Sequence, residues 1–415
     1  MLRSFRVSNH KSLADLQELR LTRGAAAPVA VPVTAVHGGP AAGKSNLVDA
    51  VGHMRDAVLN SVTGWDPYAG PVRFPHLAFP GRPTDFEAVF IAEGIPYTYG
   101  FRLDAADVAA EWLYSHPRSR KRIVFEREGE AVRIGPIFEP ARFGITALIS
   151  LVRPNALLLS LAGQMYSEAL VPAYRWFETM LEVLAGGADI EATELRLGSH
   201  LSRSTENAAR LLTLLQSADL GITDLLIAQN DPGYADYLRD LDADIAILGE
   251  QTERAAVSAG YAAQLEQDSG LNATQLAREL TNMRNARDAL YSRMVVRRGV
   301  GLRLVHTGVE PVFTLAEESS ATQALLRLLP VLLDALDAGK VLVVDDIGAQ
   351  LTVEETDRLV QLFQNPETNT RGAQLVYTTG NRALMDRGNG RSARTRSTVW
   401  TVRRSDAGTS TLTVS

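Results

Sequence analysis

The stretch "HGGPAAGKSNLVDAV", residues 37–51, constrains this chain more than any other. Gly38, four residues, then Gly43, Lys44 and Ser45 give the full G-x-x-x-x-G-K-S spacing. The apolar run "VPVTAV" precedes it as a buried strand, and apolar residues at helical intervals follow it. A strand, a glycine turn and a helix in that order is the context the motif needs. Gly38, Gly39 and Gly43 let successive backbone N–H groups curl around phosphates, where the helix N-terminus adds favourable potential. Lys44 is placed to neutralise the β- and γ-phosphates, and the Ser45 hydroxyl to ligate Mg²⁺. The competing reading, a glycine turn beside a surface lysine, accounts for neither the strand nor the helix.

A second stretch, "VLVVDDIGAQL" (341–351), sends four apolar β-formers into Asp345, the carboxylate expected to hold Mg²⁺ through water. Asp346 stands where a P-loop ATPase usually keeps the glutamate that activates water, and is the candidate catalytic base. About 300 residues separate the two motifs, more than a compact kinase or small GTPase allows. The distance suits an ABC-class head, in which both ends of one chain build one sheet around an insertion. Such a head needs a signature Ser-Gly at a helix N-terminus, serving the γ-phosphate held by the opposite subunit. "EESSATQALLRLL" offers Ser319 and Ser320 there, with Ala321 in place of glycine. A plain N-cap explains the same serines equally well. The head also needs a histidine after a late strand, but "GAQLVYTTGNRALMD" has Gly380, and no histidine follows His306.

The remaining pattern implies an α/β fold: an ABC-type P-loop ATPase head with an antiparallel β lobe and a helical insertion. Residues 1–146 read as the N-terminal part of the head, 147–300 as a helical insertion, and 301–415 as the C-terminal part. "LRSFRVSN" and "LQELRLT" read as paired edge strands, and "AEGIP" and "EREGEA" as hairpin turns. Residues 147–216 and 250–294 carry helical spacing without sustained heptads. The chain has no cysteine, which excludes disulfides and thiol chemistry. "MLRSFRVSNHKSLADL" lacks the apolar core of a signal peptide, and "ALLRLLPVLLDAL" is broken by Arg327 and Asp334, so no membrane span and a cytoplasmic location are expected.

In order, "FRVSNHKSL", the P-loop, "YTYGFRLD", "EWLYSHP", "ESSATQALLRLL", "VLVVDDIGAQL" and "QLVYTTGNRALMD" resemble a prokaryotic AAA/ABC-class ATPase of the RecF/SMC-like, abortive-infection group often found in phage-defence operons. The resemblance covers nearly the whole chain. It implies ATP and Mg²⁺ as ligands, with Gly38, Gly39, Gly43, Lys44, Ser45, Asn46, Ser319 and Ser320 holding nucleotide and Ser45 and Asp345 the metal. It implies a homodimer or higher oligomer closed through the ATP sites, and a separate effector, nuclease or toxin, since no nuclease constellation is present. The departures cluster. Pro40 and Ala42 replace the Asn and Ser of G-x-N-x-S-G-K-S-N; Ala321, Asp346 and Gly380 replace the signature glycine, catalytic glutamate and switch histidine. "AQLTVE" keeps only Leu351 of the segment after Walker B. A base one methylene short is misplaced by roughly 1 Å, which costs about 10²-fold. Losing the histidine removes of order 10–10³-fold more.

These losses imply an ATP-binding sensor or scaffold in antiviral defence with slow hydrolysis. An active RecF/SMC-type ATPase on DNA and a structural pseudo-ATPase subunit are the alternatives. The net charge of −6 gives no global pull on nucleic acid, so such contact rests on "RSRKR" (118–122) and "YSRMVVRR" (291–298), which read more simply as solvated faces. His76 reads as a structural histidine, and "DYLRDLDADIAILGE" as an acidic helix face or turn.

Overall fold

The computed structural model describes residues 1–23, 29–135, 146–165, 167, 169–187, 189–218, 220–227, 232–298, 302–308, 312–384, 397–405 and 409–414. It divides into two compact units: Met1–Gly187 with Leu332–Ser415, and Ala188–Val331 between them in sequence.

The first unit holds two sheets. Seven antiparallel strands run in the order Ala131–Ile134, Arg122–Glu128, Val108–Ser115, Ile95–Leu103, Thr84–Ala92, Leu2–Ser8, Gln17–Arg20. The two N-terminal strands pair at its edge as their alternation suggests. Glu93 and Gly94 turn one hairpin with positive φ at both positions (50° and 75°), the conformation a tight two-residue turn demands. The second sheet has the order Leu181–Leu184, Val341–Val344, Gln374–Thr379, Val33–His37, Ser397–Arg404, Ser410–Val414. Its first five strands are parallel and the last is antiparallel. Val341–Val344 is buried on every residue, as a parallel strand covered on both faces requires.

The helix Lys44–Gly64 buries Leu47, Val48, Val51, Met54, Ala57 and Val58. One apolar core joins these residues to Phe86, Phe90, Tyr99 and Phe101 of the antiparallel sheet and to Val36, Val343 and Val376 of the parallel one. The mixed α/β class and the antiparallel lobe are therefore as the sequence implies.

Two placements differ from the sequence reading. Leu181–Leu184, inside a stretch expected to be mainly helical, is a strand pairing in parallel with Val341–Val344. A four-residue stretch has too little length to reveal its period, and the waiting partner strand decides it. The strand Leu302–His306, expected in the C-terminal part of the head, pairs with Ile222–Ile227 and Phe313–Thr314 in the second unit. The compact division thus falls at 187 and 332, where the sequence suggested 147 and 300.

The second unit is mostly helical, with helices Ile190–Arg203, Thr205–Ser217, Pro232–Val257, Ala259–Ser269 and Ala273–Arg298 beside that small sheet. Asp189, Ser204 and Ser258 each cap a helix start by accepting a backbone N–H. Arg287, 3% exposed, ties three helices by bonding Asp242 at 2.8 Å and the Ser199 hydroxyl at 3.2 Å. The acidic run is accordingly a helix face, with Asp242 committed to that ion pair. The side chains of "YSRMVVRR" (291–298) lie outside the described residues. Among the described residues, no helix is long and apolar enough to cross a membrane.

Candidate nucleotide site

Val33–His37 runs into the glycine turn at the carboxyl end of the parallel sheet, the edge where open α/β folds bind ligands. A Cβ on Gly38 would meet the Val402 carbonyl at 2.6 Å, so only glycine fits there. Gly39 has open space around it and is exposed. Ala41 and Gly43 both have positive φ, 57° and 104°, which turns the loop back on itself. A Cβ on Gly43 would fall 2.3 Å from the Ser410 hydroxyl and 2.8 Å from that of Ser12. The Lys44 ammonium lies 2.8 Å from the Gly38 carbonyl and 3.0 Å from that of Gly39, held over the loop's own oxygens. The helix that begins at Lys44 has no side-chain cap and no acid in its first turn. Its start therefore carries no capping group that would compete with an anion. Ser45 is exposed at the same place.

Asn46 directs its amide at 2.7 Å to the Ser12 hydroxyl, which also accepts from Ser410 at 2.9 Å. Ser12 belongs to a turn with positive φ at Asn9 (53°) and Lys11 (48°). That turn grips the P-loop helix through Asp49: His10 Nε2 lies 2.7 Å and Lys11 Nζ 2.6 Å from its two oxygens. Burial raises the Asp49 carboxyl, but the His10 and Lys11 hydrogen bonds outweigh it and hold the pKa at about 2. His53, one turn along, is pushed down to about 4, first by burial and then by the neighbouring His10.

The Asp345 strand lies two strands from the P-loop strand, with Gln374–Thr379 between them. Two interstrand steps span about 10 Å. Thr378 occupies that middle strand and bonds to both acidic residues. Its hydroxyl donates to Asp345 Oδ1 at 2.6 Å and accepts the Asp346 backbone N–H at 2.7 Å. Asp346 itself has φ of 48° and an exposed side chain, and the following Ile347 N–H returns to the Thr378 carbonyl at 3.2 Å. A Cβ on Gly186 would sit 3.3 Å from the other Asp345 oxygen, so the chain passes close beside that carboxylate.

The structure thus brings Gly38, Gly39, Gly43, Lys44, Ser45, Asn46, Asp345 and Asp346 to one sheet edge. Ser319 and Ser320 belong to the second unit, where the Ser319 hydroxyl accepts the Thr322 N–H at 3.2 Å and caps the helix Ser320–Ala338. His76 is buried, accepts the Ala78 N–H at 3.1 Å and packs its ring on Phe79, a structural role. Sequence reasoning missed Ser12, Ser410 and Thr378. Only Thr378 had a signal, its place at the exit of a strand beside the acidic pair. Among the described residues, no cluster of three or more His, Cys, Asp or Glu is built to hold a metal by itself. Two glycines that admit no Cβ, an uncapped helix start, a lysine and an anchored carboxylate fit Mg·ATP.

Residues 33–386 match the family described as AAA domain, putative AbiEii toxin, Type IV TA system. No curated protein matches the chain. Among solved structures it is similar to an SMC head bound to the C-winged helix domain of ScpA, at 12% identity over 100% of this chain and 97% of that one, with a TM-score of 0.44. It is also similar to the recombination mediator protein RecF with ATP, at 12% identity over 99% and 97% of the two chains, with a TM-score of 0.35.

Proposed function

The chain belongs to this AAA-domain family, and on that premise we propose that it holds Mg·ATP tightly and hydrolyses it slowly, as a nucleotide-controlled sensor or scaffold in antiviral defence. The observation that carries this reading is the Thr378 bridge. It keeps Asp345 fixed for a metal while pinning Asp346 in a left-handed turn, with a side chain one methylene shorter than the usual base.

In the bound state Lys44 and the leading helix N–H groups neutralise the phosphates, Ser45 and Asp345 hold Mg²⁺, and Asn46 braces the loop through Ser12. Held by Ser45 and Asp345, Mg²⁺ would supply Lewis-acid neutralisation of the phosphate charge. Asp346 then serves as a weak base for the attacking water. Two chains close on nucleotide in a homodimer, each offering Ser319 and Ser320 to the other's γ-phosphate, in the cytoplasm. The nucleotide state controls a separate effector, a nuclease or toxin.

Binding and turnover measured on one purified sample test this, alongside Lys44→Ala and Asp346→Glu. Tight Mg·ATP binding with slow phosphate release, lost in Lys44→Ala and faster by about 10²-fold in Asp346→Glu, is expected. Brisk wild-type turnover would overturn the switch. No binding would leave a scaffold with only the shape of the loop.

A further inference from the structure

The hairpin joining Val108–Ser115 to Arg122–Glu128 carries Arg118, Arg120, Lys121 and Arg122, all exposed, within five residues. Several other arginines of this antiparallel sheet are neutralised. Arg6 pairs with Glu18 and Glu87 at 3.1 Å each, Arg102 with Asp85 at 2.6 Å, and Arg133 with Glu126. None of the four hairpin cations has a carboxylate within ion-pair distance among the described residues. Glu126, further along the second strand, is engaged by the Tyr114 hydroxyl at 2.7 Å and by Arg133. Lys121 lies instead on the face of Tyr114, 3.5 Å from the ring centre.

The local potential registers on a neighbour. His116, at the base of the turn, is held below the usual histidine range, first by partial burial and then by the charges of Lys121 and Arg3. The turn is also built at a cost. Arg118 has φ 53° and ψ 37°, a left-handed conformation that glycine or asparagine adopts more cheaply. The strained position thus presents an arginine side chain beside three more cations.

We infer that this hairpin is a docking surface for a nucleic-acid backbone. On a chain of net charge −6, four exposed and unpaired cations in one turn make a local positive patch complementary to a dense anion. Three of the four are guanidiniums, whose planar forks match phosphate oxygens bidentately. Membrane binding would call for apolar side chains beside the charges. The tip supplies only Pro117, and Ile95 at the same sheet edge is 37% exposed. The contact is to phosphates and is therefore independent of base sequence. It requires neither nucleotide binding nor hydrolysis.

Fluorescence anisotropy of the full chain without nucleotide, against a labelled DNA duplex of about 30 base pairs between about 50 and 200 mM salt, tests the assignment. Four neutralised phosphates give a slope of log affinity on log salt of about −3.6, a fall of roughly 10²-fold over that range. Arg118→Ala alone flattens the slope by about one unit, and alanine at all four positions removes the binding. Arg102→Ala with Arg133→Ala, on the same sheet, leaves it unchanged; circular dichroism of every variant confirms the fold. Wild-type affinity and slope in the fourfold variant would overturn the proposal. So would binding to phosphatidylserine vesicles at salt concentrations where the duplex does not bind, or the absence of any duplex binding at about 50 mM salt.

Discussion

Thr378 donates its hydroxyl to Asp345 and accepts the Asp346 N–H, so one atom sets both acidic residues. Valine keeps the volume of threonine and removes both bonds, leaving a backbone donor without its acceptor at a cost of about 1–3 kcal/mol. In Thr378→Val we expect Mg²⁺ to be held more weakly and phosphate release to slow by about 10-fold or more. Thr378→Ser restores both. Calorimetric Mg²⁺ titration in the presence of a non-hydrolysable ATP analogue reads the metal site apart from turnover, and equal affinities in all three proteins would remove Thr378 from it. The placement of Lys44, Asp345 and Asp346 follows from residue order, because it depends on position along a strand and a loop. The place of Thr378 at a strand exit was a signal too weak to assign it, because its part depends on which strand lies between two others.

Individual elements owe their stability to polar clamps as much as to apolar faces. Glu111, fully buried, accepts the N–H groups of Leu158 (2.7 Å) and Leu159 (2.9 Å), which begin the helix Leu158–Gln164. It also accepts the Tyr99 hydroxyl at 3.0 Å and faces Arg127 at 3.7 Å. Glu111→Ala leaves the Arg127 cation buried without its counter-charge, and chemical denaturation is expected to register a loss of about 3–5 kcal/mol. Less than 1 kcal/mol would show that the backbone carbonyls around Arg127 suffice.

On the P-loop helix, His53 has a folded pKa near 4 against 6.5 in its unfolded state. A depressed folded pKa means that the native state binds the fewer protons. Its contribution is therefore complete above pH 6.5 and is lost as pH falls towards 4, by up to about 3 kcal/mol. Denaturation midpoints measured across that window should fall with pH, and His53→Phe should flatten the fall. An unchanged slope in the variant would place the proton uptake elsewhere. The helix Val353–Gln364 was fully legible by contrast, since its Thr352–Glu355 capping box and apolar spacing are local.

At the scale of the whole molecule, two compact units imply unfolding that is not a single two-state transition. Mg·ATP at about 100 times its Kd adds about 2.7 kcal/mol to the unit that binds it. In hydrogen exchange at low protein concentration we expect nucleotide to protect the segments around Gly38–Asn46 and Asp345–Ile347. Protection around Ser319–Gln323 should appear only at concentrations where the chain dimerises. Protection there in the monomer would show that Ser319 and Ser320 do not act across a dimer.

The sequence by itself determined the local structure: the glycine loop, the Asp345 strand, the hairpin turns and the α/β alternation. Each depends on residues within about one turn or strand of each other, where glycine torsions and side-chain period decide the outcome. Tertiary structure decided what depends on partners far apart in the chain. Leu181–Leu184 became a strand because Val341–Val344 offered an edge, and Leu302–His306 paired with Ile222–Ile227. The Gly43 turn closed against hydroxyls from Ser12 and Ser410, which lie 398 residues apart. Sheet pairing satisfies backbone hydrogen bonds with whatever strand the fold brings alongside, and no local pattern encodes which strand that is.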